Sequence, residues 1–178
     1  MKVLVIVDVQ NDFVSGALGT KEAKAIIEPL VNKIKSFDGI VLLTKDTHEK
    51  NYLSTQEGQK LPVEHCIRGT SGWEIHPRVM EAIEEKGLDY KIFEKGTFGS
   101  MKLGEYIAKL HDTEKIEQME FVGICTDICV VSNALIVKAM LPEVPIRVDA
   151  ACCAGVTPET HKAALITMKS CQIEIINE

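Results

Sequence analysis

Short apolar runs alternate along this chain with longer segments of helical period, and that alternation admits few folds. A strand with no polar face must be covered on both sides, which a parallel sheet achieves with helices packed above and below it. The runs place strands at Val3 to Asp8, Gly39 to Thr44, Asp89 to Phe93, Glu117 to Gly123, Pro145 to Asp149 and Gln172 to Ile176. Helices are expected over Lys21 to Phe37, Met101 to Leu110, Thr126 to Leu141 and Pro158 to Lys169. Thr157-Pro158 is a good N-cap and first-turn pair for the last of these. The stretch from Asp46 to Arg78 shows no clear period and carries Gly58, Pro62, Gly69, Gly72 and Pro77, which makes it the one long irregular segment. Loops of that length in compact domains tend to serve function.

With 178 residues the chain is expected to form a single domain, 1–178, with a core large enough to need no disulfide or metal. A net charge of −6 with scattered Lys and Arg argues against a nucleic-acid or anionic-membrane surface and favours a small-molecule role. The run Met1 to Asp8 is too short for a membrane span, lacks a small-residue cleavage site and reads as a first strand. With the six cysteines, including the adjacent pair Cys152-Cys153, this fits a reducing, cytoplasmic setting.

Three of the strands end in reactive groups. Asp8 closes the first, Lys95 follows the third and Cys129 follows the fourth, so an acid, a cation and a thiol are expected at the carboxyl edge, where open parallel sheets hold their ligand crevice. A carboxylate can take the thiol proton, an ammonium can steady the thiolate, and the sulfur can attack a carbonyl. Thr126 reads as an N-cap, which puts Cys129 in a first helical turn where the thiol is expected to ionise more easily than a free one. Each residue alone has a blander reading: a polar strand end, a solvated loop lysine and a small buried hydrophobe.

Asp46 and His48 share a side of an extended segment, with His65 further along the irregular stretch. One carboxylate and two imidazoles suit Zn²⁺, Fe²⁺ or Mn²⁺, Zn²⁺ first, with positions left open for substrate. Asp-x-His alone is a weak motif that a surface pair also explains, and Ser54, Glu57 and Glu64 are each possible further oxygen ligands. Phe13 could wall a flat substrate or simply pack in the core. His76 before Pro77 reads as the residue leading into a helix, His111 and His161 as solvent-facing helix positions, and Cys152-Cys153 as core.

Taken together, Val5-Ile6-Val7-Asp8-Val9-Gln10-Asn11-Asp12-Phe13, Lys45-Asp46-Thr47-His48, His65-Cys66-Ile67-Arg68-Gly69-Thr70, Lys95-Gly96, Gly123-Ile124-Cys125-Thr126-Asp127-Ile128-Cys129-Val130 and Asp149-Ala150-Ala151-Cys152 resemble the isochorismatase-like cysteine hydrolase family, within it the nicotinamidase/pyrazinamidase branch. The resemblance spans nearly the whole chain. It implies an α/β fold of three layers, a six-stranded parallel sheet of Rossmann-like topology flanked by helices, and a catalytic triad of Asp8, Lys95 and Cys129. It also implies a cis peptide before Cys125, with the backbone N–H groups of Cys125 and Cys129 as oxyanion hole. The set Asp46, His48 and His65 selects the nicotinamidase branch, whose members hold a divalent metal there against the ring nitrogen of the substrate. Nicotinamidases often carry an aromatic residue three positions before the second metal histidine, where this chain has Pro62, so Phe13 and Phe98 remain as candidate substrate walls.

The expected activity is therefore hydrolysis of nicotinamide to nicotinate and ammonia through a cysteine thioester, with a small-molecule amide as partner and a homo-oligomer as the expected assembly. The alternatives are a related cysteine amidase acting on a carbamoyl or ureido compound, and a thiol redox protein built on Cys125 and Cys129. The spacing C-x-x-x-C is not that of disulfide oxidoreductases and leaves Asp8 and Lys95 without a role. A dinucleotide-binding module is disfavoured because no G-x-G-x-x-G follows the first strand.

Overall fold

The computed structural model describes all 178 residues. Six parallel strands, β1 (Lys2–Val7), β2 (Ile40–Asp46), β3 (Tyr90–Lys95), β4 (Gln118–Ile124), β5 (Ile146–Ala154) and β6 (Glu174–Ile176), form one sheet in the order β3-β2-β1-β4-β5-β6. The helices are α1 (Asn11–Val14), α2 (Lys21–Ala25), α3 (Ile27–Ser36), α4 (Gln56–Lys60), α5 (Pro77–Lys86), α6 (Met101–Glu114), α7 (Val131–Met140) and α8 (Pro158–Ser170). None is long and apolar enough to cross a membrane.

The pleat divides β1 between two cores. Val3, Val5 and Val7 pack with Leu103 and Ile107 of α6, Ala134 and Val137 of α7 and Leu165 and Met168 of α8. Leu4 and Ile6 pack on the other face with Leu30 and Ile34 of α3 and Val79 and Ile83 of α5. Each such side chain contributes roughly 1.5–3 kcal/mol on leaving water, so the six-residue central strand anchors both layers.

The chain winds from β1 outward to β3 and then returns to β4 on the other side of β1. That reversal opens a crevice beyond the carboxyl ends of β1 and β4, the place where such sheets bind ligands. Gly123 lets the two strands meet there. Its φ is +124°, and a Cβ on it would lie 2.1 Å from the Val7 carbonyl oxygen, a space only hydrogen can share.

Several sequence expectations shift. The segment read as one helix from Lys21 to Phe37 breaks at Ile26 into α2 and α3, because Pro29 has no N–H to offer the Ala25 carbonyl. α5, a helix the sequence reading did not expect, begins in the last two residues of the stretch read as irregular, with Pro77 in its first turn, Gly87 in the left-handed conformation after its last residue, and Val79, Ala82 and Ile83 buried. The irregular stretch itself contains α4 and two single 3₁₀ turns, Tyr52–Ser54 and Ser71–Trp73. β5 runs past Asp149 to Ala154 because pairing with β4 resumes after a bulge: Phe121 pairs with Val148, but Gly123 pairs with Cys153. Cys152 and Cys153 are thus buried strand residues, as their core reading requires.

Candidate active site

β1 ends where Asp8 takes a left-handed φ of 49°, which turns its carboxylate out of the pleat. Thr44 fixes it from β2: the Thr44 hydroxyl donates to Asp8 Oδ1 at 2.7 Å, and the Asp8 N–H reaches Thr44 Oγ1 at 3.2 Å. Lys95, the last residue of β3, extends past the end of β2 to place Nζ 2.6 Å from Asp8 Oδ2 and 3.5 Å from Asp46 Oδ1. The same ammonium donates to Cys129 Sγ at 3.6 Å. The three residues predicted from three different strands therefore meet, and all are buried.

Cys129 sits differently from the sequence expectation. A cis peptide joins Ile124 to Cys125, and Thr126–Val130 form one π-helical turn before α7 begins at Val131. Thr126 caps nothing with its side chain; its hydroxyl is 2.8 Å from His161 Nδ1 on α8. His161 is consequently half-buried and engaged instead of solvent-facing, and His111 likewise accepts from the Ile116 N–H. The expectation of a readily ionised thiol also fails. Burial pushes the Cys129 thiol well above its ordinary range, and the Asp8 charge adds to this more than Lys95 relieves it. A helix-end field cannot offset complete removal from water. Burial raises Asp8 as well, against the lowering effect of Lys95. Lys95 itself is held firmly protonated, the Asp8, Cys129 and Asp46 charges outweighing its loss of solvent.

Asp46, His48 and His65 form the second half of the site, with one ligand atom from each lying within 4.8 Å of the others. Asp46 Oδ2 is 3.1 Å from His48 Nε2 and 3.6 Å from His65 Nε2. Donors on a tetrahedral zinc stand roughly 3.3 Å apart, given bonds of about 2.0–2.1 Å. The remaining chemistry fits too. His65 Nδ1 lies 2.8 Å from the Val63 carbonyl, which can only accept, so Nδ1 carries the proton and Nε2 offers its lone pair. His48 Nε2 is buried without an aligned hydrogen-bond partner. Burial opposes the Asp46 charge, yet the close contact with His48 Nε2 and the Lys95 charge hold the carboxyl below its ordinary range, in the ionised form a cation requires. The set is buried, unlike a surface pair. Of the three proposed extra ligands only Glu57 arrives, with Oε1 3.6 Å from His48 Nε2 and 3.8 Å from His65 Nε2. Ser54 instead donates its hydroxyl to the Asn51 carbonyl, and Glu64 is exposed beside His65.

Supporting residues escaped the sequence reading. Gln10 clamps the Asp46 backbone, accepting from its N–H at 2.7 Å and donating to its carbonyl at 2.8 Å. Asp12 accepts from the Cys66 N–H at 2.8 Å, and the His48 N–H donates to the Cys66 carbonyl at 3.0 Å, so both histidine segments are tied together. Tyr52, fully buried, backs both rings at 4.7 and 5.0 Å between centroids. Asn133 accepts from the Ser100 N–H and donates to the Phe98 and Cys129 carbonyls, joining the Phe98 loop to the thiol's turn. The only hint in the sequence was polar residues placed beside apolar runs.

The two halves open into one cavity of about 770 Å³. Cys129, Asp46, His48, His65, Phe13 and Phe98 all line it; Asp8 and Lys95 do not, and reach it through the Lys95–Cys129 contact. Phe13 is buried and tilted against the His65 ring, 5.5 Å between centroids, whereas Phe98 stands at the exposed side. Trp73 lies elsewhere, with Lys45 Nζ 3.2 Å over its ring.

The Isochorismatase domain family matches residues 2–177. A nicotinamidase/pyrazinamidase of Mycobacterium tuberculosis is 30% identical over 99% of this chain and 98% of its own. Among solved structures, a nicotinamidase/pyrazinamidase of Bacillus subtilis superposes with a TM-score of 0.83 at 26% identity, covering 99% of each chain. A pyrazinamidase of Pyrococcus horikoshii, in complex with zinc, gives 0.77 at 26% identity, again over 99% of each.

Proposed function

Given that the chain belongs to the isochorismatase domain family, we propose that it hydrolyses nicotinamide to nicotinate and ammonia through a cysteine thioester. One observation carries the reading: a single lysine ammonium lies within 2.6 Å of a buried carboxylate and 3.6 Å of a thiol facing a cavity that also holds an Asp-His-His set. A thiol backed by a buried acid, sharing one cavity with a metal-binding set, is what a ring-bearing amide needs, since its carbonyl and its ring nitrogen are recognised together.

Asp8 accepts the Cys129 proton as sulfur attacks the amide carbon, so charge separation occurs only when an electrophile is present. The raised thiol supports this order of events, because it keeps the resting sulfur neutral. Lys95 compensates whichever of Asp8 and Cys129 carries the negative charge. The backbone N–H groups of Cys125 and Cys129 stabilise the tetrahedral oxyanion. Asp8 then returns its proton to the departing nitrogen, which leaves as ammonia, and next takes a proton from the water that attacks the thioester. Nicotinate departs and the thiol is restored, so no atom is gained or lost by the enzyme. Asp46, His48 and His65, with Glu57 close enough to serve as a fourth donor, would hold a divalent ion, Zn²⁺ first among the choices. When bound, that ion supplies a Lewis-acid contact for the pyridine nitrogen.

Ammonia release from nicotinamide by the metal-loaded enzyme tests the reading, with Cys129→Ala as control. Turnover by the native enzyme, and its loss by at least about a thousandfold in the variant, is expected. Retained turnover in Cys129→Ala would refute the mechanism.

A further inference from the structure

The turn that carries the thiol is fastened to α8 by side chains to which the proposed reaction gives no role. Within the turn, the Ile128 and Val130 N–H groups share one acceptor, the Cys125 carbonyl, at 3.1 and 3.0 Å. Thr126 is fully buried, and its hydroxyl has a single hydrogen-bond partner, Nδ1 of His161 near the start of α8, at 2.8 Å. Beside it, the Val156 N–H donates to Asp127 Oδ1 at 3.0 Å. Gly155 allows the close approach: a Cβ there would lie 2.8 Å from the His161 Cβ and 2.9 Å from its Cα. Cys125, Cys129, Gly155 and Val156 all line the substrate cavity, so the start of α8 is braced directly against its wall.

His161 is suited to hold that hydroxyl. Loss of solvent keeps its half-buried ring below the ordinary histidine range, with Lys162 adding to the effect and Asp127 and Glu178 opposing it. A neutral ring protonated on Nε2 offers Nδ1 as an acceptor, and a buried hydroxyl left without one is costly. The metal-binding set stands apart from this link. Asp46 and His48 belong to β2 and the segment after it, whereas the thiol's turn follows β4, and β1 lies between those strands. A change at His161 therefore reaches the thiol without reaching the residues proposed to hold the ring nitrogen.

We infer that His161 is a positioning residue for hydrolysis: through the Thr126 hydroxyl it keeps the Cys129 sulfur and the Cys125 and Cys129 N–H groups aligned on the amide carbonyl. The inference rests on the nicotinamidase reading for what the turn must align. Steady-state ammonia release from nicotinamide by the metal-loaded enzyme tests it. His161→Ala and Thr126→Val are each expected to lower kcat at least tenfold while KM stays within twofold of native. Thr126→Val keeps the shape of the side chain, so its loss reads the hydrogen bond and not the packing. His161→Asn, whose side-chain amide can stand in for Nδ1, is expected to bring kcat back to within threefold of native. His161→Ala combined with Thr126→Val is expected to lose no more than the worse single variant, because both remove one interaction. A native kcat in either single variant, a loss carried by KM, losses that multiply in the double variant, or no recovery in His161→Asn overturns the inference and leaves the nicotinamidase reading standing. Failure of the native enzyme to release ammonia from nicotinamide overturns that reading instead. Amide hydrogen exchange of the peptide spanning residues 124–132 then decides the positioning role: it must quicken at least threefold in His161→Ala and Thr126→Val and return to the native rate in His161→Asn, and unchanged exchange overturns the inference.

Discussion

Lys95 Nζ lies 2.6 Å from Asp8 Oδ2 although β2 separates the strands that carry them. The ammonium bridges the two anions that the proposed reaction generates in turn, the Cys129 thiolate and the Asp8 carboxylate. Burial raises both groups, so neither is a strong acid at rest.

The sign of each charge effect on the thiol can be read by alkylation. Asp8 disfavours the thiolate and Lys95 favours it. The pH midpoint for iodoacetamide modification of Cys129, followed by mass spectrometry of its peptide, is expected to fall in Asp8→Asn and to rise in Lys95→Met. A rise in Asp8→Asn would invert this account.

Catalysis needs Asp8 ionised, and its carboxyl stands above the ordinary range. The acid limb of kcat/KM for nicotinamide is therefore expected above the usual aspartate value of about 3.9. Lys95 lowers the Asp8 pKa, so Lys95→Gln should move the limb further up as well as slowing turnover by roughly a hundredfold. A limb unmoved by that change would separate Lys95 from the base.

Gln10 touches no proposed ligand atom yet holds the Asp46 backbone by both its N–H and its carbonyl. Gln10→Ala is expected to weaken zinc binding by roughly 10- to 100-fold, measured by competition with a chromophoric chelator. His48→Ala should lose the ion outright, and chelation of the native enzyme should raise KM for nicotinamide. Undiminished metal content in His48→Ala would exclude the Asp-His-His site.

Gly123→Ala forces a methyl against the Val7 carbonyl at a backbone angle that side chains avoid. The strands must part, at a cost of at least about 3 kcal/mol by denaturant unfolding. A loss under about 1 kcal/mol would mean that β1 and β4 can separate freely.

Much of this was legible in the sequence because strand ends are periodic events. Asp8, Lys95 and Cys129 each follow an apolar run, and a parallel sheet sends all such ends to one edge. Asp46 and His48 were legible from alternation along an extended segment. Gln10, Asp12 and Asn133 were not, because they act on backbone groups distant in sequence, and nothing local marks which polar residue will be buried. Thiol acidity was misjudged for a related reason: the first turn of a helix is a local property, whereas desolvation depends on everything packed around it. The helix break at Pro29 was legible in principle, from the carbonyl that proline leaves unpaired.

β3 is an edge strand, paired on one side alone, and its final residue is Lys95. Edge strands fray before central ones, and local opening costs less than global unfolding. The ammonium at the centre of the site is thus carried by one of the two least-tethered strands of the sheet, and its contact with Asp8 acts as a clasp on that strand's end. Fraying of β3 would silence the enzyme while the other five strands stay folded, which makes turnover a finer gauge of the sheet's margin than its melting temperature.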